Sequence, residues 1–179
     1  MTHAVTLCAA ILITGLLRPS LSVQAQISDR WTRTELAAQS LVNLFKNVRW
    51  PTREQPANLC FLERSPVVDL LRKGLERNEN WTRLTGRSLE VRVISDTSDL
   101  TECRILYIDA SAADRLWKTF TVPKGILTVS DQKEFLSNNG MMRFQWAAND
   151  DLSITMNREL VLAEGFAVSG PLAILARAQ

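Results

Sequence analysis

Residues 103–108 read Cys-Arg-Ile-Leu-Tyr-Ile, and the stretch from Ile105 to Ile108 is apolar throughout. A short run of this kind, without polar alternation, is typical of a strand buried on both faces near the centre of a parallel sheet. Similar runs occur at residues 59–62 (LCFL) and 126–129 (ILTV). Residues 89–93 instead alternate apolar and charged side chains, which predicts a strand covered on one face more than on the other.

Segments with helical periodicity separate these strands. Leu36, Leu41, Leu44 and Phe45 recur at helical spacing, which predicts a first helix ending near Asn47. Further helices are predicted from Ser65-Pro66, from a cap at Ser111, over residues 130–138, over residues 158–164 before Gly165, and over residues 169–177. Residues 141–147 and 152–156 flank a turn and predict a hairpin. The sequence therefore predicts an α/β fold, a three-layer sandwich with a mostly parallel sheet, helices on both faces and an antiparallel hairpin near one edge.

The amino-terminal segment has the pattern of an export signal. Residues 4–17 form an uncharged apolar run that is shorter than a membrane span, and residues 23–25 (VQA) offer small side chains at a cleavage site. We expect residues 1–25 to be a signal peptide, cleaved between Ala25 and Gln26, and residues 26–179 to form a single domain outside the cytoplasm. An uncleaved anchor helix is the alternative, because no Lys or Arg precedes the apolar run.

Charge and histidine content exclude several functions. The chain carries 21 basic and 19 acidic residues, interspersed without a basic stripe, so nothing indicates nucleic-acid binding. The single histidine, His3, lies in the expected signal peptide. The exported domain therefore has no imidazole for a His-dependent triad or a His-bearing zinc site. We expect a protein that is not an enzyme and that holds no metal or cofactor.

Cys60 and Cys103 are the cysteines of the expected mature domain. In an exported protein such a pair most simply forms a disulfide. A structural bond is the favoured interpretation, and a redox-sensing bond or two free thiols are the alternatives. Closing this loop of 43 residues stabilises the fold by roughly 4 kcal/mol at most.

Aromatic residues are the candidate partner-binding residues. Trp31 and Trp81 lie among polar residues, and Phe144 and Trp146 lie on the predicted hairpin. An exposed tryptophan is a natural anchor for a protein interface. The alternative is that most of these side chains complete the core.

Two other motifs have ordinary structural explanations. Ser130 and Lys133 have the S-x-x-K spacing, but no companion catalytic element accompanies them, and Ser130 suits a helix cap. Residues 149–151 (NDD) could hold a cation, although a hairpin turn uses the same residues.

Several segments, in order, resemble the YfiR-like (YfiR/HmsC) family of periplasmic proteins. The opening helix leads into residues 45–51 (FKNVRWP), which are similar to the family's F-x-x-F-v-x-W-P. Residues 127–131 (LTVSD) match the family's L-T-v-S-D directly. Weaker similarities lie at residues 58–62 (NLCFL), 86–91 (GRSLEV), 103–108 (CRILYI) and 140–144 (GMMRF). Some members carry a second cysteine pair that this chain lacks, so a switch built on two disulfides is not indicated.

The resemblance implies a function. It implies an α/β periplasmic regulator that represses a membrane-bound diguanylate cyclase, or a related sensor, by binding its periplasmic domain. Such a protein controls cyclic-di-GMP signalling and biofilm formation. The oligomeric state stays open, with a homodimer as the alternative to a monomer. A second function remains open as well, a periplasmic small-ligand-binding protein with its pocket at the carboxyl ends of the strands.

Overall fold

The fold is taken from a computed structural model that describes residues 32–51, 58–77, 89–95, 97–117, 121–169 and 176–178. The helices are α1 (Arg33–Asn47), α2 (Pro66–Arg77), α3 (Ala110–Leu116) and α4 (Arg158–Ala163), with a 3-10 helix at Thr97–Glu102. The strands are β1 (Val48–Arg49), β2 (Asn58–Phe61), β3 (Glu90–Val93), β4 (Cys103–Ile108), β5 (Leu127–Ser130), β6 (Met142–Trp146), β7 (Leu152–Met156), β8 (Ala167–Val168) and β9 (Ala176–Ala178).

One large sheet organises the domain. Its strand order is β3-β2-β4-β5-β6-β7-β9, and the first five strands run parallel to one another. The β6–β7 hairpin is antiparallel and lies near one edge, with β9 outside it and parallel to β7. The predicted mostly parallel α/β fold with a hairpin near the edge is confirmed. Strands β1 and β8 form a separate antiparallel pair, which the sequence patterns did not predict.

Helices α1 and α2 cover one face of the sheet, called here the α1/α2 face. Thr32 caps α1 by accepting a hydrogen bond from the Glu35 amide, while the Glu35 side chain accepts from the Thr32 amide. The apolar stripe of α1 is buried as predicted, with Leu41 and Leu44 fully inaccessible. It packs with α2 on the inward residues of β2, β4, β5, β6 and β7.

A smaller layer covers the opposite face, called here the α3 face. Ala112 and Ala113 of α3 pack with Phe135 and with the other side of the central strands β2 and β4. The small alanines let the short helix approach the sheet closely. Apolar burial on this face stops at the hairpin, where Arg143 and Gln145 point away from the α1/α2 core and bond to each other.

Three predicted elements differ from the structure. Asp109, not Ser111, caps α3, because its carboxylate accepts from the amide and the hydroxyl of Ser111. Residues 133–139 form hydrogen-bonded turns instead of a helix, and their end bond runs from the Gly140 amide to the Phe135 carbonyl. The predicted final helix is wrong at its end, since residues 176–178 form β9 and pair with β7.

The predicted end of the helix before Gly165 is confirmed. Gly165 follows α4 with a φ of +82°, and its amide donates to the Leu162 carbonyl. The Phe166 amide donates to Val161, which completes a Schellman-type ending. Within the described residues, no helix has both the length and the apolar character that a membrane span requires.

Candidate functional site

The predicted disulfide joins Cys60 and Cys103. It links the neighbouring strands β2 and β4, with a Cα–Cα separation of 5.7 Å. Both cysteines are 0% exposed and lie in the core of the α3 face. A reductant reaches these sulfurs only when the α3 layer opens, and this burial favours the structural interpretation over a freely accessible redox switch.

The predicted partner-binding residues have different positions. Trp31 and Trp81 lie outside the described residues. The prediction that Phe144 offers a docking surface is wrong for its side chain, which is only 1% exposed. Strand β6 lies between β5 and β7, and its even-numbered residues point toward α1. Phe144 therefore packs in the core, with its ring 6.0 Å from that of Tyr107.

Trp146 alone among the four candidates is described and partly exposed. One side of its ring packs against the α1/α2 core, and the Arg33 guanidinium lies over the ring, 5.5 Å from its centroid. Arg33 also donates from Nε to Asp150 Oδ1 at 2.7 Å. We call Arg33, Trp146 and Asp150 the hairpin patch.

The charged members of the hairpin patch are accessible. The side chains of Arg33 and Asp150 are 57% and 49% exposed. An exposed ion pair of this kind contributes at most about 1 kcal/mol, and a cation–π contact about as much. These contacts therefore cost little to break. No local pattern pointed to Arg33, because its partners are more than a hundred residues away along the chain.

Polar side chains crowd the carboxyl ends of the parallel strands. Asp109 follows β4 and Asp131 follows β5. Asp131 Oδ1 accepts from the Ala110 amide at 2.8 Å. Burial raises the pKa of the Asp131 carboxyl, the charge of Asp109 raises it further, and the Ala110 hydrogen bond opposes both effects. Burial also raises the pKa of the Tyr107 hydroxyl, with the same two carboxylates adding to the effect.

Other polar side chains at this end of the sheet are hydrogen-bonded to each other. Gln132 donates to Asp114 at 3.0 Å, and Arg115 donates to both oxygens of Glu63. At the carboxyl ends of β2, β4 and β5, these described side chains form local pairs.

A cavity of about 500 Å³ lies near the amino ends of β5 and β6. Its walls come from four separate segments: the end of α3, the approach to β5, the turn before β6 and the end of α4. The lining residues are Trp117, Thr121, Val122, Pro123, Thr128, Ser137, Asn138, Asn139, Met141, Leu160 and Glu164. Because these segments are far apart in sequence, no local pattern predicted the cavity.

The S-x-x-K motif and the NDD motif both have structural roles. Ser130 is fully buried, and its hydroxyl accepts from the Gln132 amide at 3.1 Å, as a cap does. Residues 149–151 form the hairpin turn, with Asp150 at a φ of +66°. Among the described residues, no group of three or more His, Cys, Asp or Glu side chains is placed to hold a metal ion.

Taken together, these features define a disulfide-linked α/β domain. A family model described as YfiR/HmsC-like matches residues 34–177. The chain therefore belongs to the YfiR/HmsC-like family, which is a regulatory family, and the resemblance stated from its sequence segments is confirmed. A comparison with curated proteins finds no match.

Proposed function

We propose that the protein is a periplasmic regulator that represses a membrane-bound diguanylate cyclase, or a related sensor, by binding its periplasmic domain. It thereby controls cyclic-di-GMP signalling and biofilm formation. The observation that carries the proposal is the family match over residues 34–177. The Cys60–Cys103 disulfide agrees with an oxidising compartment such as the periplasm. In this proposal the protein acts by binding and performs no catalysis.

The hairpin patch is the proposed docking surface. Tryptophan and arginine are the residues that most often dominate the energy of protein interfaces, and here they lie in contact at the surface. The Trp146 ring already packs partly on the core and beneath Arg33, so little side-chain entropy is lost when a partner contacts its exposed part. Asp150 supplies a charge of the opposite sign, which allows the surface to select a partner with complementary charges.

The cellular test measures cyclic-di-GMP and biofilm mass. Deleting the gene is expected to raise both, and expression of the wild-type chain is expected to restore them. Arg33→Glu is expected to fail in this restoration, because it reverses the charge next to Trp146 without touching the core. Leu162→Ala, at an apolar residue that is 57% exposed on α4, is the control and is expected to restore fully.

A binding experiment separates the proposed function from the proposed surface. The purified protein is mixed with the purified periplasmic domain of the diguanylate cyclase encoded beside it or in the same genome. Binding by wild type and by Leu162→Ala, with at least about tenfold weaker binding by Arg33→Glu and Trp146→Ala, supports both. Equal binding by all four chains contradicts the surface. Unchanged cyclic-di-GMP after deletion, with no binding to any such domain, contradicts the function.

A further inference from the structure

The cavity near the amino ends of β5 and β6 has a rigid apolar wall. Trp117 is 8% exposed, and its Nε1 donates to the Asn138 carbonyl at 2.7 Å, which fixes the ring. The ring also packs on Phe135, with centroids 4.7 Å apart. Met141, another lining residue, is also buried, and its amide donates to Thr128 Oγ1 at 3.1 Å. The volume of about 500 Å³ lies within the range of small-molecule sites, roughly 300–1,000 Å³.

The cavity also contains one carboxylate without a counterpart. Glu164 lines it, and its Oε2 atom is buried without a hydrogen-bond donor in the described part of the chain. The backbone holds this residue in place, because the Glu164 amide donates to the Leu160 carbonyl at 3.0 Å and Gly165 then turns the chain. A carboxylate that lacks a counter-charge is stabilised when a cation approaches it.

The remaining lining residues determine the charge that the cavity prefers. Among the lining residues that the structure describes, Glu164 is the one charged side chain. The backbone carbonyl of Asn138 and the hydroxyl of Thr128 add hydrogen-bond acceptors. The Glu164 carboxylate repels an anion, whereas a cation gains a charge-assisted interaction there.

We infer that this cavity is a binding site for a small organic cation, an amine with an apolar body. The ammonium group pairs with the Glu164 carboxylate, and the apolar body packs on Trp117, Met141 and Leu160. This site differs from the hairpin patch in every residue. It also differs in position from a pocket at the carboxyl ends of the strands, where the polar groups are already paired.

The test titrates the purified protein with three probes of similar shape but different charge: 2-phenylethylamine, 2-phenylethanol and 3-phenylpropionate. Binding is followed by calorimetry and by amide chemical shifts. Wild type is expected to bind the amine at least about tenfold more tightly than the alcohol, with no measurable binding of the carboxylate. Shift changes are expected around Trp117 and residues 137–141.

Variants assign the preference to the carboxylate. Glu164→Gln keeps the size of the side chain and is expected to remove the preference for the amine over the alcohol. Glu159→Gln is the matched control, because Glu159 is exposed on the same helix, and it is expected to behave as wild type. Val122→Trp is expected to fill the cavity and to weaken both the amine and the alcohol.

Several results would overturn the inference. Equal affinity for amine and alcohol in wild type, no binding of any probe, or retention of the amine preference in Glu164→Gln would each do so. Shift changes located away from the cavity would do so as well. Thermal unfolding of every variant shows whether the fold is intact, and Glu159→Gln and Val122→Trp keep the test decisive should Glu164→Gln unfold.

Discussion

The two faces of the central sheet are covered in different ways. On the α1/α2 face, helices of 15 and 12 residues cover the sheet from β2 to β7 with aliphatic and aromatic side chains. On the α3 face, a helix of 7 residues and a set of turns cover the central strands, and the disulfide lies there. The half-buried Asp131 carboxyl accepts from the first residue of that helix, and the cavity lies at the end of the helix.

This difference has a physical reason. A long amphipathic helix buries enough apolar surface to hold itself on the sheet, at about 25 cal/mol per Å² of apolar area. A helix of two turns and a set of turns bury less, so the thinner layer depends more on single interactions such as the disulfide and the Asp109 cap. We therefore expect the α1/α2 face to respond to lost volume, and the α3 face to lost covalent, steric or polar interactions.

The largest effect is expected on the α1/α2 face. Phe144→Ala leaves a cavity in its core and is expected to lower the free energy of unfolding by about 3–5 kcal/mol. Chemical denaturation measures this loss. Trp146→Ala, two residues along the same strand and only partly buried, is the matched comparison and is expected to cost less. Equal losses in the two variants would contradict the assignment of Phe144 to the core and Trp146 to the surface.

The next effect is expected at the disulfide on the α3 face. Replacing both Cys60 and Cys103 by alanine is expected to lower the free energy of unfolding by up to about 4 kcal/mol, because the unfolded chain loses a cross-link over 43 residues. Denaturation curves of oxidised wild type and the double variant measure the difference.

The accessibility of the same bond is measured separately. Under native conditions, we expect mild reductant to leave the bond of the folded wild type intact, because both sulfurs are buried. Thiol labelling with mass detection measures how much of the bond is reduced, with unfolded protein as the positive control. Rapid reduction of the folded protein would favour the redox-sensing interpretation.

A smaller effect is expected at Gly140. A Cβ atom at this position would lie 2.2 Å from Cδ1 of the fully buried Phe135 ring. Gly140→Ala is therefore expected to lower the free energy of unfolding by about 1–3 kcal/mol through overpacking. In a chain that already carries Phe135→Leu, the same Gly140→Ala substitution is expected to cost less, because the smaller side chain leaves room for the Cβ atom. A double-mutant cycle with no coupling energy would contradict the steric explanation.

The smallest effect is expected at Asp131 and depends on pH. Its pKa in the folded state is raised above the ordinary value of 3.8, so the folded state binds the proton more tightly than the unfolded chain does. This contribution to stability is complete below the unfolded pKa and is lost as the pH rises through the folded pKa. Asp131→Asn does not titrate, and its Oδ1 can still accept from the Ala110 amide.

We therefore expect the stability of Asp131→Asn relative to wild type to increase from pH 3 to pH 7. Denaturation at a series of pH values measures this difference. Asp114→Asn, an exposed carboxylate at the same end of the sheet, is the control for general loss of charge. A difference between wild type and Asp131→Asn that does not change with pH would contradict the raised pKa.

Much of the fold was predictable because its signals are local. The apolar runs at β2, β4 and β5 indicated central strands, and the helical stripe of α1 indicated a buried face. The turn residues before β7 indicated the hairpin. The region of 133–139 was less predictable, since its apolar pair Phe135 and Leu136 suits a helix or a set of turns equally well. The end of the chain was mispredicted because pairing with β7 outweighs the helix propensity of its alanines.

The candidate sites were less predictable than the fold. The disulfide was predictable because a pair of cysteines has few roles in an exported protein. Phe144 was misplaced because the position of a strand within a sheet depends on strands elsewhere in the chain. Arg33 over Trp146 and the four segments around Glu164 meet only when the chain folds, so no spacing in the sequence indicates them.

The sequence by itself determined which segments are strands and helices, which cysteines pair, and to which family the chain belongs. Periodicity, composition and short motifs act over a few residues and survive in the linear chain. Only the tertiary structure decided which aromatic side chain is buried and which is exposed, and at which end of the sheet the cavity lies. Those properties arise from contacts between residues far apart in sequence, and packing of the whole domain sets them.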